Sequence, residues 1–312
     1  MKKIKLAHIS DLHICRNYKK QNIHRLHHLI KLAAEENVDH LIITGDISDN
    51  SNENDYLILR KILETNKLFN SDKTSLVIGN HDIFGGIQVI NDISNFPLKC
   101  LRTNYQEKVL LFKNYFKELF ENTITISKNI FPYAKIIGNI ALIGLNSIDK
   151  YSKVKNPFAS NGKISKQHRK ELKKLFDLPS IKSKLKIIMI HHHFYKNNVE
   201  ANSSFNALWN KIESYTMKLR GKKKLIKLFK KNDVKLVLHG HSHELKEYSR
   251  KGIKFINAGG SIESDERTEP GLFIIEIDNE NIKINLKIIK ADNNSHQKEK
   301  IYNEEILAMV TS

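Results

Sequence analysis

The stretch Ile4-Lys5-Leu6-Ala7-His8-Ile9-Ser10-Asp11-Leu12-His13 sets a short apolar run directly before an Asp-x-His triplet. A run of that length, rich in Ile and Leu, reads as a buried strand. The same pattern returns four times. Residues 40–44 lead into Gly45-Asp46-Ile47-Ser48-Asp49, and residues 75–78 into Gly79-Asn80-His81-Asp82. Residues 186–190 lead into His191-His192-His193, and residues 235–238 into His239-Gly240-His241-Ser242-His243. Further strands are expected at 140–145, 254–257, 272–277 and, as a half-exposed alternation, 282–289. Segments of helical spacing lie between them, at 22–36, 55–65, 108–120, 166–176 and 222–231. Strands alternating with helices make the class α/β.

The chemistry lies at the strand ends. In open α/β sheets, ligands bind just beyond the carboxyl ends of the strands, so the five clusters are expected to converge. Asp, His and Asn are suitable ligands for metals of borderline hardness such as manganese, iron, zinc or cobalt. Any one cluster alone is the ordinary residue choice of a turn. Five of them, each directly after a buried strand, are not explained by turns.

The chain has 312 residues, 40% hydrophobic and 28% charged, enough for a substantial core and incompatible with a disordered or fibrous protein. No apolar run has the roughly 18 to 20 residues that cross a bilayer, and the N-terminus lacks the pattern of a signal peptide, so a cytoplasmic protein is expected. Cys15 and Cys100 form neither a disulfide framework nor a Cys-x-x-Cys motif. The net charge of +18 would attract polyanions, yet Lys accounts for 44 of the 52 basic residues, a bias that an A+T-rich genome also produces. One domain is expected over 1–292, with helical cap insertions near 83–135 and 194–232 and a peripheral tail at 293–312.

The ordered set Asp11-x-His13, Gly45-Asp46-x-x-Asp49, Gly79-Asn80-His81-Asp82, a strand-end His and Gly240-His241-x-His243 resembles the calcineurin-like metallophosphoesterase superfamily. The resemblance implies two packed mixed sheets flanked by helices. It implies one divalent metal on Asp11, His13 and His243, and a second on Asn80, His241 and a histidine of the triplet, with Asp46 bridging. A hydroxide between the two metals would then attack a phosphodiester in line. His81 would stabilise or protonate the phosphoryl group, with Asp49 orienting it; a helix N-cap is the alternative for Asp49. Asp82 reads as turn structure or as support for the ligands. The superfamily shows His-x-Pro where this chain has the triplet, and Phe194 takes the proline position if His192 is the ligand. That register favours His192 over His191.

Within the superfamily, the Asp-Leu-His opening, the segment 161–165, the His triplet, the run 233–241 and the turn 256–261 resemble the bacterial class III cyclic-nucleotide phosphodiesterases. A small phosphodiester or nucleotide, such as a 3′,5′-cyclic nucleotide, is the substrate implied. The alternative is a pyrophosphatase for a nucleotide-diphosphate-linked lipid precursor (UDP-2,3-diacylglucosamine type) at the inner membrane surface. It draws on the basic segment 218–231, whose stripe of Leu225, Leu228 and Phe229 otherwise packs on the sheet. A nuclease has only the net charge behind it, with no nucleic-acid motif. An inactive scaffold would lack part of the ligand set or the His81 equivalent, and here all are present.

Overall fold

A computed structural model describes residues 3–86, 90–195, 217–263 and 269–289. Parallel strands β1 (Ile4–Ile9), β2 (His40–Ile43) and β3 (Thr74–Leu76) form one side of a five-stranded sheet. Sheet 2 has a parallel centre of β6 (Ile140–Leu145), β8 (Leu185–Ile190), β10 (Val234–His239) and β12 (Ile253–Ala258). Antiparallel β4 (Ile124–Thr125) and β5 (Tyr133–Ile137) extend one edge of it, and β11 (Leu245–Arg250) the other. Sheet 1 is completed by antiparallel β13 (Gly271–Asp278) and β14 (Asn281–Ile288), while β7 (Gly162–Lys163) pairs with β9 (Leu219–Arg220) outside both.

The two faces of sheet 2 are set by the two-residue period of its strands. Leu142, Ile187, Met189, Leu236 and Leu238 join the core shared with Leu6, Ile9, Leu41 and Ile43 of sheet 1. Ile143, Ile188, Ile190 and Val237 face the other way, where α6 (Lys166–Asp177), α7 (Pro179–Lys182) and α8 (Lys222–Lys231) cover them through Leu172, Phe176, Ile181, Leu225 and Phe229. On the outer side of sheet 1, α1 (Lys20–Glu35) buries Leu26, Leu29 and Ile30, and α2 (Glu53–Thr65) buries Ile58, Leu59 and Ile62. Asn52 caps α2 through the amide of Asn54, and Ser165 caps α6 through that of His168, so both helices begin where side-chain oxygens take up free N–H groups.

The strands expected from the sequence are present, with ends shifted by a residue or two; β5, β11 and the two-residue strands were not anticipated. The insertion expected at 83–135 is helical only in its first part. There α3 (Asn80–Phe84), α4 (Ile90–Arg102), α5 (Tyr105–Tyr115) and a 3₁₀ turn at Lys117–Phe120 give way to β4 and β5. Phe112, Phe116, Phe120 and Tyr133 stack edge to face with Tyr56 and one another inside the shared core, which makes this segment part of the framework. Of the second expected insertion, residues 196–216 lie outside the described residues, as does the tail. Leu225 and Phe229 of α8 are buried against sheet 2, so the apolar stripe of the basic segment is used in packing. Among the described residues no helix is long and apolar enough to cross a membrane.

His40 begins β2 with its ring fully buried, Nδ1 donating to Asp72 O and Nε2 paired with Ser75 Oγ. Burial, aided by the nearby Lys135 cation, lowers its pKa to about 3. The unfolded chain binds this proton below pH ~6.5 and the folded chain does not, so stability is complete above that value and is lost as pH falls toward 3. His40→Gln is therefore expected to remove about 2 kcal/mol of the stability difference between pH 7 and pH 5, as read by urea unfolding. An unchanged pH slope would refute the neutral buried ring.

Candidate metal centre

The five expected clusters meet at the carboxyl ends of β1, β2, β3, β8 and β10, in the seam between the sheets. Each strand must break off at once so that its next side chains turn into the seam. Asp11, His13, Asp46 and His241 do so in the left-handed region, with φ of 54°, 42°, 50° and 77°. Asp, Asn and His tolerate that region better than most residues, and each such turn costs ~1–3 kcal/mol that surrounding bonds must hold. Those bonds are present: Asp11 N donates to Gly45 O, His13 N to Asp46 O, and His241 N to the Asp11 carboxylate at 3.0 Å. Gly240 is needed here because a Cβ would overlap the Asp11 carboxylate and the Ser10 hydroxyl.

Three groups of side chains offer one ligand atom each within 4.8 Å: Asp11, His13 and His243; His13, Asp46 and His81; Asp46, His191 and His241. His13 and Asp46 link them into one chain of donors. At the second end, His191 Nε2 stands 3.0 Å from Asn80 Oδ1, 3.0 Å from His241 Nδ1 and 3.2 Å from Asp46 Oδ2. His191 Nδ1 donates to Thr44 O at 2.8 Å, which turns Nε2 toward these acceptors. At the first end, His13 Nδ1 is 2.9 Å from Asp49 Oδ1, while its buried Nε2 has no hydrogen-bond partner. Oxygens and ring nitrogens facing one another, with the buried Nε2 of His13 at one end and of His241 at the other unpartnered, fit a cation at each end, and nitrogen–oxygen donors of this kind suit a borderline metal.

The electrostatics agree. Burial would raise the Asp46 carboxyl, but His191, His81 and His13 around it hold it well below the usual carboxylate range. Burial would lower His81 and His191, yet Asp46 raises both to about 9, aided at His81 by Asp49. A site that holds protons this firmly has the negative potential that would hold a cation. His241, which faces other imidazoles, is lowered far below its ordinary value by burial and by His192 and His191.

The structure brings Asp11, His13, Asp46, Asn80, His81, His241 and His243 together, but corrects the position expected for His192. Its ring packs 4.3 Å from that of His241, but both ring nitrogens are engaged outside the ligand groups, Nδ1 on Ser147 Oγ at 2.8 Å and Nε2 donating to Ser160 O. The cause is strand alternation: Met189 faces sheet 1 and Ile190 the outer helices, so His191 returns to the seam and His192 leaves it. Phe194 is fully buried beside Phe229 and Phe255. Asp49 also differs in detail. Its carboxylate makes its short bond to His13, whereas His81 Nδ1 donates to the Asp49 carbonyl at 3.0 Å and lies 3.6 Å from Oδ1. Asp82 ties the loops after β2 and β3 by accepting the amides of Ile47, Ser48 and Gly79.

Several contributors were not legible beforehand. Ser10 Oγ donates to Asp11, and Tyr18 OH and Lys19 Nζ donate to Asp49. Asn257 Nδ2 holds the loop of His241 and His243 through Ser242 O at 3.0 Å, and Tyr195 OH joins that network. Hydroxyls and amides one contact behind a ligand carry no spacing signature; only the turn 256–261 had drawn notice.

The sequence profile of the calcineurin-like phosphoesterases matches residues 4–245. The chain belongs to that family. Its members are phosphoric ester hydrolases with a dimetal centre, and the His and Asp groups described above could hold one. The fold is similar to that of a dimetal phosphatase from Danio rerio, with a TM-score of 0.59 at 13% identity, covering 91% of this chain and 95% of that one. It is also similar to a purple acid phosphatase from yellow lupin seeds, with a TM-score of 0.57 at 13% identity, covering 92% of this chain and 52% of that one. At such identities the likeness speaks for the fold. A search of curated proteins found no match.

The two histidines can be told apart by elemental analysis of purified variants. His191→Ala is expected to lose about one metal equivalent per chain, and Asp46→Asn to lower occupancy of both positions, since Asp46 lies between the groups. His192→Ala should keep its metal; equal losses from the two histidine variants would overturn the distinction.

Proposed function

We propose that this phosphoesterase is a binuclear metal-dependent phosphodiesterase acting on a small diester of the nucleotide type, a 3′,5′-cyclic nucleotide among the candidates. The observation that carries the reading is Asp46, which is grouped with His13 and His81 on one side and with His191 and His241 on the other, while His13 is also grouped with Asp11 and His243. Asp11, His13 and His243 would hold one divalent ion and Asn80, His191 and His241 the other, with Asp46 between; manganese, iron, zinc and cobalt all suit these donors. When bound, such a pair polarises the phosphoryl group and supplies a water of lowered pKa.

The protein residues do the rest. Asp49 fixes His13 in one tautomer, and Thr44 O fixes His191, so both rings are set before any ion arrives. His81 is the ring of the central group that reaches solvent, 24% exposed at its side chain against 8% for His13. Held by the Asp49 carbonyl, it can donate a proton to a phosphoryl or leaving oxygen while remaining outside the ligand set. His81→Ala is accordingly expected to lower turnover of bis(p-nitrophenyl) phosphate or cyclic AMP by about two to four orders of magnitude with metal content intact. Full turnover in a metal-replete variant would remove this role.

A reading as a pyrophosphatase of nucleotide-linked lipids has one observation in its favour. A groove between α6 and α8 is lined by Lys166, Arg169, Lys170, Lys173 and Lys224 around Leu228. Such a surface suits anionic headgroups by charge, at roughly 1 kcal/mol per basic residue near the membrane. Co-sedimentation with phosphatidylglycerol vesicles, abolished in a Lys170→Glu/Lys224→Glu variant, would support it; recovery of the protein in the supernatant at low salt would reject it.

A further inference from the structure

Between the ligand His13 and helix α1 runs Ile14-Cys15-Arg16-Asn17-Tyr18-Lys19, and Lys20 follows as the first helical residue. Arg16, Lys19 and Lys20 give this short stretch three positive charges, and neither it nor the first turn of α1 holds an acid. The stretch reaches the centre through the Asp49 carboxylate. Lys19 Nζ donates to Oδ1 at 3.2 Å and Tyr18 OH to Oδ2 at 2.8 Å, while Oδ1 also takes His13 Nδ1 at 2.9 Å. His81 Nδ1 is 3.6 Å from the same Oδ1. Two contacts of 3.2 and 3.6 Å meeting at that oxygen keep the ammonium within about 7 Å of the His81 ring nitrogen.

Burial separates the two partners of this ion pair. The Lys19 side chain is 28% exposed and that of Asp49 only 2%, so the cation lies at the rim over a carboxylate that is itself out of reach. Tyr18 beside it is half-exposed, and Asn50 Nδ2 donates to its hydroxyl at 2.7 Å, which braces the rim from the other side. An ammonium carries three donors, and one of them serves Asp49. A cation held at its root by a carboxylate, with donors left toward solvent, suits an anion arriving at the centre. An apolar group placed there would strip water from the ammonium and return no hydrogen bond.

We infer that Lys19 reads a second negative charge on the substrate, a phosphate or carboxylate on the ester arm next to the scissile phosphoryl group, and is thereby a determinant of specificity. The inference rests on the proposed phosphodiesterase reading and names the charge of its substrate.

Three diesters that release the same p-nitrophenolate and differ in the charge of the other arm isolate this contact: carboxymethyl, ethyl and cholinyl p-nitrophenyl phosphate. With the metal-loaded full chain, kcat/KM is expected to fall in that order, and the carboxymethyl-to-cholinyl ratio to shrink as salt is added. Lys19→Met should lower that ratio about tenfold, the scale of one unit charge at this range in a partly screened site. Lys19→Arg should keep it. A residue that merely braced Asp49 would change all three substrates by one factor. Equal losses across the series in Lys19→Met, or a wild-type ratio near one, overturn the inference and leave the phosphodiesterase reading standing. Hydrolysis of none of the three overturns that reading, and the assignment of Lys19 with it.

Discussion

The structure turns on one buried carboxylate. Asp46 is 2% exposed and stands among His13, His81 and His191, so its charge is held in a place where an isolated carboxylate would be forced to take up a proton. The attraction is mutual, which is why burial fails to lower His81 and His191 beside it. Any fold that keeps Asp46 ionised must bring several basic or cationic partners to one point. Two sheets whose parallel strands end at the same seam meet that demand, because five separate chain segments can each deliver a side chain there.

The same constraint explains the local strain. A strand that continued past its last pair would carry Asp11, Asp46 or His241 away from the seam, and the left-handed turns prevent it. Their cost is met by a lattice of backbone bonds between loops: Asp11 to Gly45, His13 to Asp46, Ile14 to Ile47, and three amides on Asp82. The loops thus hold one another as well as their ligands.

Much of this was legible because the signal is both local and repeated. An apolar run followed by Asp, His or Asn identifies a strand end wherever it occurs, and β1, β2, β3, β8 and β10 were all read that way. The choice between His191 and His192 was also present in the sequence. Ile187-Ile188-Met189-Ile190 alternates across a sheet buried on both faces, so its apolar residues do not mark which face is inner, and the motif register pointed to the wrong neighbour. Strand β11, Leu245-Lys-Glu-Tyr-Ser-Arg, is an edge strand with little apolar content and has no such signal. Tyr18 and Ser147 act through hydrogen bonds between distant segments, and Ser10 through one to its neighbour Asp11, none of which any periodicity encodes.

The division between centre and rim bears on how a substrate would be chosen. The centre presents carboxylates, amide oxygen and imidazoles fixed by the sheets, and such a set recognises a phosphoryl group without regard to what is esterified to it. Discrimination must come from surfaces that touch the rest of the molecule. The α4–α5 turn and the loop after β6 are anchored to the framework through Tyr105 and Asn146 but not paired into either sheet. They can change shape or side chains without disturbing Asp46 and its partners, so one metal centre is compatible with many leaving groups.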